Sequence, residues 1–203
     1  MLNMVNLGYK EAASLLTKKL DEILEKNTDI SKPLKAMILG GYALQALCDS
    51  YGTKIERKTN DIDLYTSDAK ALISDDVAVS PTGARIQLTD DFHGEMFDWI
   101  SGMDHEKDLE KKILNGIETG KFTEIETDSK NIVLYLPSPE VFVANKLFAY
   151  RGDKSRGKDL KDVAVLTELI DPIGLRKIHD IIKHYNLQEE YNLSMKYKDI
   201  LKK

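Results

Sequence analysis

Residues 61–65, DIDLY, place two carboxylates in a stretch that otherwise has the composition of a β-strand. Residues two apart in a strand point to the same side, with Cα atoms roughly 6.5–7 Å apart. Asp61 and Asp63 therefore share a face, while Ile62 and Leu64 mark the opposite face as buried. Two neighbouring carboxylates repel each other and are costly to desolvate. The face that carries them is predicted either to be open to solvent or to line a cleft.

Strand-like and helix-like segments alternate over the first two thirds of the chain. A helical pattern over 9–27 precedes a buried strand over 35–39, which ends at Gly40-Gly41 before helical spacing resumes over 42–51. Ser67-Asp68 is a candidate helix cap. Further strands are predicted at 77–79, 84–88, 96–100, 122–126 and 132–136, with a helix over 104–115 that Gly116 stops. This order predicts an α+β fold whose mixed sheet is flanked by helices.

The pattern changes at Ser138-Pro139, where serine is a candidate helix cap and proline suits the first turn. Only helices are predicted after this point, over 139–150, 158–169, 173–185 and 188–201. We therefore expect a core over 1–137 and a C-terminal helical region over 138–203 that packs on it.

The composition excludes several classes of protein. A chain of 203 residues with 42% hydrophobic content is long enough for a sizeable folded domain. No apolar run approaches the roughly 20 residues of a membrane span, and the first residues lack the features of a signal peptide, so we expect a cytoplasmic protein. The single cysteine, Cys48, excludes a disulfide within the chain. A net charge of −5 argues against broad attraction to nucleic-acid phosphates but permits a local basic patch.

A divalent cation would resolve the repulsion between Asp61 and Asp63. Mg²⁺ takes hard oxygen ligands and leaves room for water and substrate phosphates; the alternative is an edge strand with a solvated polar face. Upstream, Gly40-Gly41 at a strand-to-helix junction lets backbone N–H groups approach a phosphate, although a glycine pair also forms ordinary tight turns. Asp98 is isolated among apolar residues over 96–100, where it either belongs to the same site, pairs with a lysine or faces outward.

These features together resemble the nucleotidyltransferase superfamily that includes DNA polymerase beta, antibiotic nucleotidyltransferases and the abortive-infection type IV toxins. The resemblance is closest to the last group, which shows a glycine pair, a helix and then R-x-T/S-x-D-h-D-h. Here that run is RKTNDIDL over 57–64. A second block in those proteins is a helical lysine, a basic loop and a D-x-x-D pair, which match Lys146, residues 154–158, Asp159 and Asp162. The two blocks bracket about 37–166.

The resemblance implies a nucleotidyltransferase fold and a catalytic mechanism. In that superfamily two metal ions bridge the acidic cluster and the triphosphate, the acceptor hydroxyl attacks the α-phosphorus, and pyrophosphate leaves. Asp61, Asp63 and Asp98 would hold Mg²⁺, with Mn²⁺ as an alternative. Asp98 would also lie near the acceptor hydroxyl and accept or orient its proton.

The resemblance also implies a set of residues around the nucleotide. Lys146 would be the catalytic cation for the triphosphate or its leaving group; its alternative is a solvated helix lysine. Asp159 and Asp162 lie one helical turn apart and either face the cleft or pair with Lys158 and Lys161. The residues assigned to nucleotide binding are Gly40, Gly41, Arg57, Thr59, Asp159 and Asp162. Arg57 would hold Asp61 and Asp63 in place or contact a phosphate. The alternative is an arginine on the protein surface.

The expected activity is transfer of a nucleoside monophosphate from an NTP to a hydroxyl acceptor. The closest group suggests tRNA as acceptor and a toxin–antitoxin pair with a cognate antitoxin protein, and no membrane partner. Transfer to a small molecule or a protein is the alternative within the enzyme class, and a non-catalytic nucleotide-binding or partner protein is the alternative outside it. The basic run over 154–161 either meets a nucleic-acid acceptor or is a solvated loop.

Overall fold

The computed structural model describes residues 8–26, 32–55, 61–66, 77–80, 83–89, 92–97 and 104–198. Its elements are α1 (Tyr9–Lys26), β1 (Leu34–Ile38), α2 (Gly40–Ser50), β2 (Asp61–Thr66), β3 (Val77–Ser80), β4 (Gly83–Thr89), β5 (Phe92–Phe97), α3 (Asp104–Thr119), β6 (Thr123–Ile125), β7 (Ile132–Leu136), α4 (Pro139–Gly152), α5 (Gly157–Leu169), α6 (Pro172–His184) and α7 (Gln188–Met195). None of the helices in these ranges is both long and apolar enough to cross a membrane.

The described strands form one mixed sheet of seven strands in the order β3-β4-β5-β2-β1-β7-β6. The central strand β1 runs antiparallel to β2 and parallel to β7, and β2 runs parallel to β5. The outer pairs β3–β4, β4–β5 and β6–β7 are antiparallel. The predicted α+β class with a mixed sheet flanked by helices is confirmed.

Helices cover both faces of the sheet around β2. On the face of Ile62 and Leu64, α1 packs through Leu16 against the backbone of Gly94 in β5, which has no side chain to hold the helix away. On the opposite face, the hydroxyl of Tyr65 donates to Oε1 of Glu110 in α3 at 2.8 Å. The alternation of side chains along β2 therefore separates two helical layers, and Asp61 and Asp63 lie on the Tyr65 side.

The C-terminal helices share the hydrophobic core with the sheet. Phe148 of α4 and Val163 of α5 are fully buried in the same apolar cluster as Leu20 of α1 and Leu64 of β2. The helices join this core because their apolar stripes would otherwise remain in water. The division into a core over 1–137 and a helical region over 138–203 stays a prediction.

Several predicted boundaries are wrong, each for a local reason. Gly116 does not stop α3, which runs on to Thr119; Gly116 lies inside the helix, where a Cβ would overlap the ring of Phe122. The helix ends instead at Gly120, whose φ of 64° suits glycine. The helix predicted over 188–201 ends at Met195, and residues 199–201 lie outside the described residues.

Two further predictions need correction. The predicted positions of Ser138 at the N-cap of α4 and of Pro139 in the first turn are confirmed, but the Ser138 side chain makes no capping hydrogen bond. Its carbonyl accepts the first helical hydrogen bond from the N–H of Phe142 at 2.9 Å. The strand predicted over 96–100 begins earlier, at Phe92, and is described to Phe97. The candidate cap Ser67-Asp68 lies outside the described residues.

Candidate functional site

The two aspartates of β2 lie half-buried at the start of a strand in the middle of the sheet. Ile62 and Leu64 between and beyond them are fully buried, so the predicted alternation of faces is confirmed. β2 has a hydrogen-bonded neighbour on each side, β5 and β1. The alternative of a solvated edge strand is therefore wrong, and two carboxylates share one face of a strand inside the sheet.

Gly40 brings the corner between β1 and α2 directly against Asp63. The N–H of Leu39 donates to the backbone carbonyl of Asp63 at 2.8 Å, which places the end of β1 beside β2. Gly40 follows with a φ of 66°, a left-handed conformation that glycine adopts without strain. A Cβ at this position would overlap Oδ2 of Asp63 and lie 3.0 Å from its Cγ. Only a glycine lets the backbone come so close to this carboxylate.

Helix α2 begins at the same corner. The N-cap residue, Leu39, makes no side-chain hydrogen bond to the first turn. The first N–H groups of a helix have no partner within the helix, and they carry the positive end of its dipole. The predicted pair Gly40 and Gly41 thus supplies backbone donors at the end of α2 that faces Asp63.

Tyr42 is a neighbour of this site that sequence reasoning missed. Burial raises the pKa of its hydroxyl to about 12, with further contributions from the charges of Asp61 and of Glu11 in α1. The hydroxyl thus stays protonated at neutral pH within the field of Asp61. A buried tyrosine at helical spacing is indistinguishable from an ordinary core residue in the sequence. The one available signal was its position immediately after the glycine pair.

Arg156, at the start of α5, is a second neighbour that was missed. Partial burial opposes its charge, but the hydrogen bond to Asp159 and the charges of Asp159, Asp63 and Asp153 outweigh that effect and raise its pKa. Its Nε donates to Oδ2 of Asp159 at 2.6 Å. The charge of Arg156 therefore acts on Asp63 of β2 as well as on Asp159 of α5, and the sequence showed Arg156 only as part of a basic run.

Lys146, Asp159 and Asp162 form a buried ion cluster between α4 and α5. The lysine Nζ lies 2.7 Å from Oδ1 of Asp159 and 3.1 Å from Oδ2 of Asp162. The three residues are only 4%, 0% and 2% exposed. Lys146 is therefore not a solvated helix lysine, and the aspartates are not simple surface partners of Lys158 and Lys161. Both alternatives are wrong.

The buried cluster is connected to the candidate site through Arg156. Burial opposes the charge of Asp159, but Lys146 and Arg156 outweigh it and hold its pKa below the ordinary value. Because the Nζ of Lys146 already contacts two carboxylates, its role toward a triphosphate stays a prediction. Asp159 and Asp162 likewise stay predicted nucleotide-binding residues. The charge of Arg156, which contacts Asp159, also interacts with that of Asp63.

Three predicted site residues lie outside the described residues: Arg57, Thr59 and Asp98. The parallel register of β2 and β5 does bring another acidic position to the site, because Glu95 pairs with Asp63 and His93 with Asp61. Sequence reasoning missed Glu95, since β5 was predicted to begin four residues too late. The alternation in FHGEMF over 92–97 was the signal that would have placed it.

The donor set of the site fits a hard divalent cation. Asp61 and Asp63 offer carboxylate oxygens on one face, and the backbone corner at Gly40 packs against the second of them. Within the described ranges, no group of three or more histidine, cysteine, aspartate or glutamate side chains converges as a metal site. Mg²⁺ is often held by one or two carboxylates together with water and substrate phosphates, so this pair is sufficient for such an ion.

Comparison with known proteins finds likeness only among solved structures. No protein-family model matches the chain. No curated protein matches it either. Among solved structures, the chain is similar to an antigenic nucleotidyltransferase-like protein from Paracoccidioides brasiliensis, with a TM-score of 0.44 and 17% sequence identity over 91% of this chain and 92% of that chain.

Proposed function

We propose that this protein is a metal-dependent nucleotidyltransferase that moves a nucleoside monophosphate from an NTP to a hydroxyl acceptor, with tRNA as the expected acceptor. The observation that carries the proposal is the approach of the Gly40 backbone to the carboxylate of Asp63. This contact puts a helix N-terminus, which favours phosphate, beside a carboxylate pair, which favours a cation. A phosphate would be repelled by the aspartates alone, so the combination points to a metal–nucleotide complex.

Asp61 and Asp63 would hold the cation, Mg²⁺ or alternatively Mn²⁺. When bound, it would neutralise the triphosphate and polarise the α-phosphate. The N–H groups of Gly40 and Gly41 donate to the β- and γ-phosphate oxygens, and the guanidinium of Arg156 offsets negative charge beside Asp63. The protonated hydroxyl of Tyr42 is a donor for orienting Asp61. Arg57 and Thr59 are proposed as further nucleotide contacts.

The transfer step forms a bond between the acceptor oxygen and the α-phosphorus. The bond from the α-phosphorus to the oxygen that bridges it to the β-phosphate breaks, and pyrophosphate carries away the electron pair. The proton of the acceptor hydroxyl passes to a carboxylate near the metal. Asp98 is one candidate for this third carboxylate, and Glu95, next to Asp63 in the register, is the other. Glu95→Gln and Asp98→Asn, compared in the same assay, decide between them.

A transfer assay tests the proposal. The full-length protein is incubated with Mg²⁺, each of the four α-labelled NTPs and total RNA, and labelled products are separated by size. We expect labelled RNA with at least one NTP and a loss of orders of magnitude in Asp63→Asn, while Glu124→Gln, an exposed change on β6, has no effect. Absence of transfer with all four NTPs, together with absence of NTP binding, would contradict the proposal.

The size of the labelled product separates the acceptor classes. Label in RNA supports the tRNA proposal, whereas label in protein or in a small molecule assigns the acceptor to those classes instead. NTP binding without transfer to any of them would make the chain a nucleotide-binding protein without catalysis. In that case, binding of a partner to the helical region would be unchanged in Asp63→Asn.

The toxin–antitoxin setting is proposed with its own test. If the chain is a toxin restrained by a cognate antitoxin protein in the cytoplasm, overexpression without that partner slows growth. Asp63→Asn relieves the arrest, because transfer is then lost. Growth arrest that persists unchanged in the Asp63→Asn strain would contradict a role for catalysis.

A further inference from the structure

A pocket of about 260 Å³ lies among α4, α5 and the turn that follows α7. Its walls are Tyr150, Leu160, Leu193, Lys196 and Tyr197. Both tyrosines are only partly buried, so aromatic surface remains accessible beside an apolar floor. We call this set of five residues the tyrosine pocket. Its size and lining suit a flat ring that has an apolar face and a polar edge.

Lysines surround the tyrosine pocket. The Nζ of Lys154 lies 4.6 Å from the ring centroid of Tyr150, and the Nζ of Lys161 lies 5.7 Å from that of Tyr197. Lys196 is part of the wall, and Lys158 is exposed on the same helix as Lys161. The chain as a whole carries a net charge of −5. A local concentration of cations on an acidic protein marks a surface that attracts anions.

The acidic residues near these lysines leave a net positive charge. Glu190 is 3% exposed, and this one carboxylate faces two cations, Arg151 at 2.7 Å and Lys154 at 3.4 Å. Asp159 is fully buried and already paired with Lys146 and Arg156. The remaining acid of the loop, Asp153, is exposed and holds the N–H of Ser155 at 2.9 Å. Among the described residues on and beside the pocket, the solvent-facing charge is therefore mainly positive.

The tyrosine pocket lies at the start of α5, next to Arg156. Gly157 begins α5, and a Cβ built on it would lie 3.6 Å from the hydroxyl oxygen of Tyr197. The residue before it is Arg156, whose charge interacts with that of Asp63. The helix start that contacts Tyr197 thus follows the cation that acts on Asp63. An acceptor strand held at Asp61 and Asp63 would pass this helix start with the nucleotides next to its end.

We propose that the tyrosine pocket binds an unpaired base of a single-stranded RNA acceptor and that Lys154, Lys161 and Lys196 contact its flanking phosphates. Aromatic side chains bind bases by stacking, and lysines bind the backbone through charge, a combination typical of single-strand recognition. This proposal rests on the proposed function, because it names the class of acceptor for that site. The basic run over 154–161 would then bind the RNA acceptor and would not be a loop that contacts solvent alone.

Fluorescence anisotropy with the full-length protein and a labelled single-stranded RNA of about 12 nucleotides tests the proposal, since such a strand covers the site size of typical single-strand binders. We expect Tyr197→Leu to weaken binding at least tenfold, while Tyr51→Leu, a change at an exposed tyrosine after α2, leaves it unchanged. Lys161→Ala with Lys196→Ala should lower the slope of log affinity against log salt by about 0.7 for each lysine. The matched control is Lys10→Ala with Lys18→Ala on α1.

The lysine pair keeps the test valid if Tyr197→Leu fails to fold, because both lysines are exposed. Equal affinity of the wild type and the lysine variant, with equal salt slopes, overturns the proposal. Equal binding of a DNA strand of the same sequence overturns the assignment to RNA.

The two proposals fail in different ways. RNA binding that depends on the pocket but is accompanied by no transfer leaves the pocket in place and removes the catalytic proposal. Transfer to RNA that is unchanged in the tyrosine and lysine variants supports the catalytic proposal and removes the pocket proposal.

Discussion

Two pairs of aspartates in this protein are placed on one face of their element by spacing, and they meet opposite surroundings. Asp61 and Asp63 lie two apart on a strand and are half-buried. Asp159 and Asp162 lie three apart on a helix, are 0% and 2% exposed, and share the ammonium group of Lys146. The second pair carries its own cation inside the protein, whereas the first lies against the glycine corner at the N-terminus of α2.

An internal countercharge distinguishes a structural carboxylate pair from a candidate metal site. A buried pair is maintained only with an internal countercharge, because desolvation of an uncompensated carboxylate is too costly. A half-buried pair stays accessible to a cation that arrives with substrate. Arg156 contacts one pair and lies near the other, so the two are coupled through a single guanidinium.

Removal of the internal cation should have the largest effect on stability. Lys146→Met leaves two buried carboxylates without their ammonium partner, and we expect it to lower the free energy of unfolding by about 3–5 kcal/mol. Urea denaturation measures the loss. Lys177→Met on α6, where the lysine is exposed, is the matched control and should change stability by less than about 0.5 kcal/mol. A small effect at Lys146 would contradict its structural role.

Gly40→Ala tests the approach of the backbone to Asp63. The left-handed conformation alone should cost about 1–2 kcal/mol, and the overlap with the carboxylate adds to it. Gly52→Ala is the matched control, since Gly52 also has a positive φ, 75°, but a Cβ there would meet no atom within 4 Å. We expect transfer activity to fall sharply in Gly40→Ala and to persist in Gly52→Ala. Equal losses in both variants would show that the contact with Asp63 has no role.

Single charge deletions in the two pairs should change stability by different amounts. Asp159→Asn removes a carboxylate that accepts from Lys146 and Arg156, and we expect a loss of about 1–3 kcal/mol in stability. Asp61→Asn keeps an oxygen acceptor at a half-buried position and relieves the repulsion from Asp63, so we expect a smaller loss than in Asp159→Asn. Thermal and urea unfolding of the two variants side by side measure this. A larger loss at Asp61 than at Asp159 would reverse the interpretation of the two pairs.

Acid should weaken the buried cluster once the pH falls below the ordinary pKa of an aspartate. The pKa of Asp159 is lower in the folded protein than its ordinary value near 4. Its contribution to stability is therefore complete above that ordinary value and is lost as the pH falls toward the folded pKa. Stability measured in urea between pH 6 and pH 3 should decline more steeply for the wild type than for Asp159→Asn. Parallel curves would contradict the assignment.

Much of the fold follows from local patterns. The strand over 132–136 is recovered at both ends because the apolar run IVLYL lies between turn-forming residues. The hairpin of β3 and β4 is also confirmed, since the turn residues between its strands are unambiguous. Gly116 was misread because a helix-interior glycine required by the ring of Phe122 looks in sequence like a helix end. That requirement arises only from tertiary packing.

The candidate site was only partly predictable for the same reason. The pattern D-h-D fixes the shared face of Asp61 and Asp63, and the glycine pair fixes the corner, because both depend on neighbouring residues. The burial of Lys146 depends on how α5 covers α4, which helical spacing does not reveal. The position of Arg156 near Asp63 joins residues more than 90 apart in the chain. Such proximity is set by packing of the helices on the sheet.

The metal–nucleotide site at the Gly40 corner is tested most directly by calorimetric titration. The full-length protein is titrated with a non-hydrolysable NTP analogue in the presence and absence of Mn²⁺. We expect that binding requires the cation and weakens at least 100-fold in the variant with Asp61→Asn and Asp63→Asn. The control Glu124→Gln should bind as the wild type does. Equal affinity of the double variant and the wild type, with or without the cation, would contradict a metal–nucleotide site at the Gly40 corner.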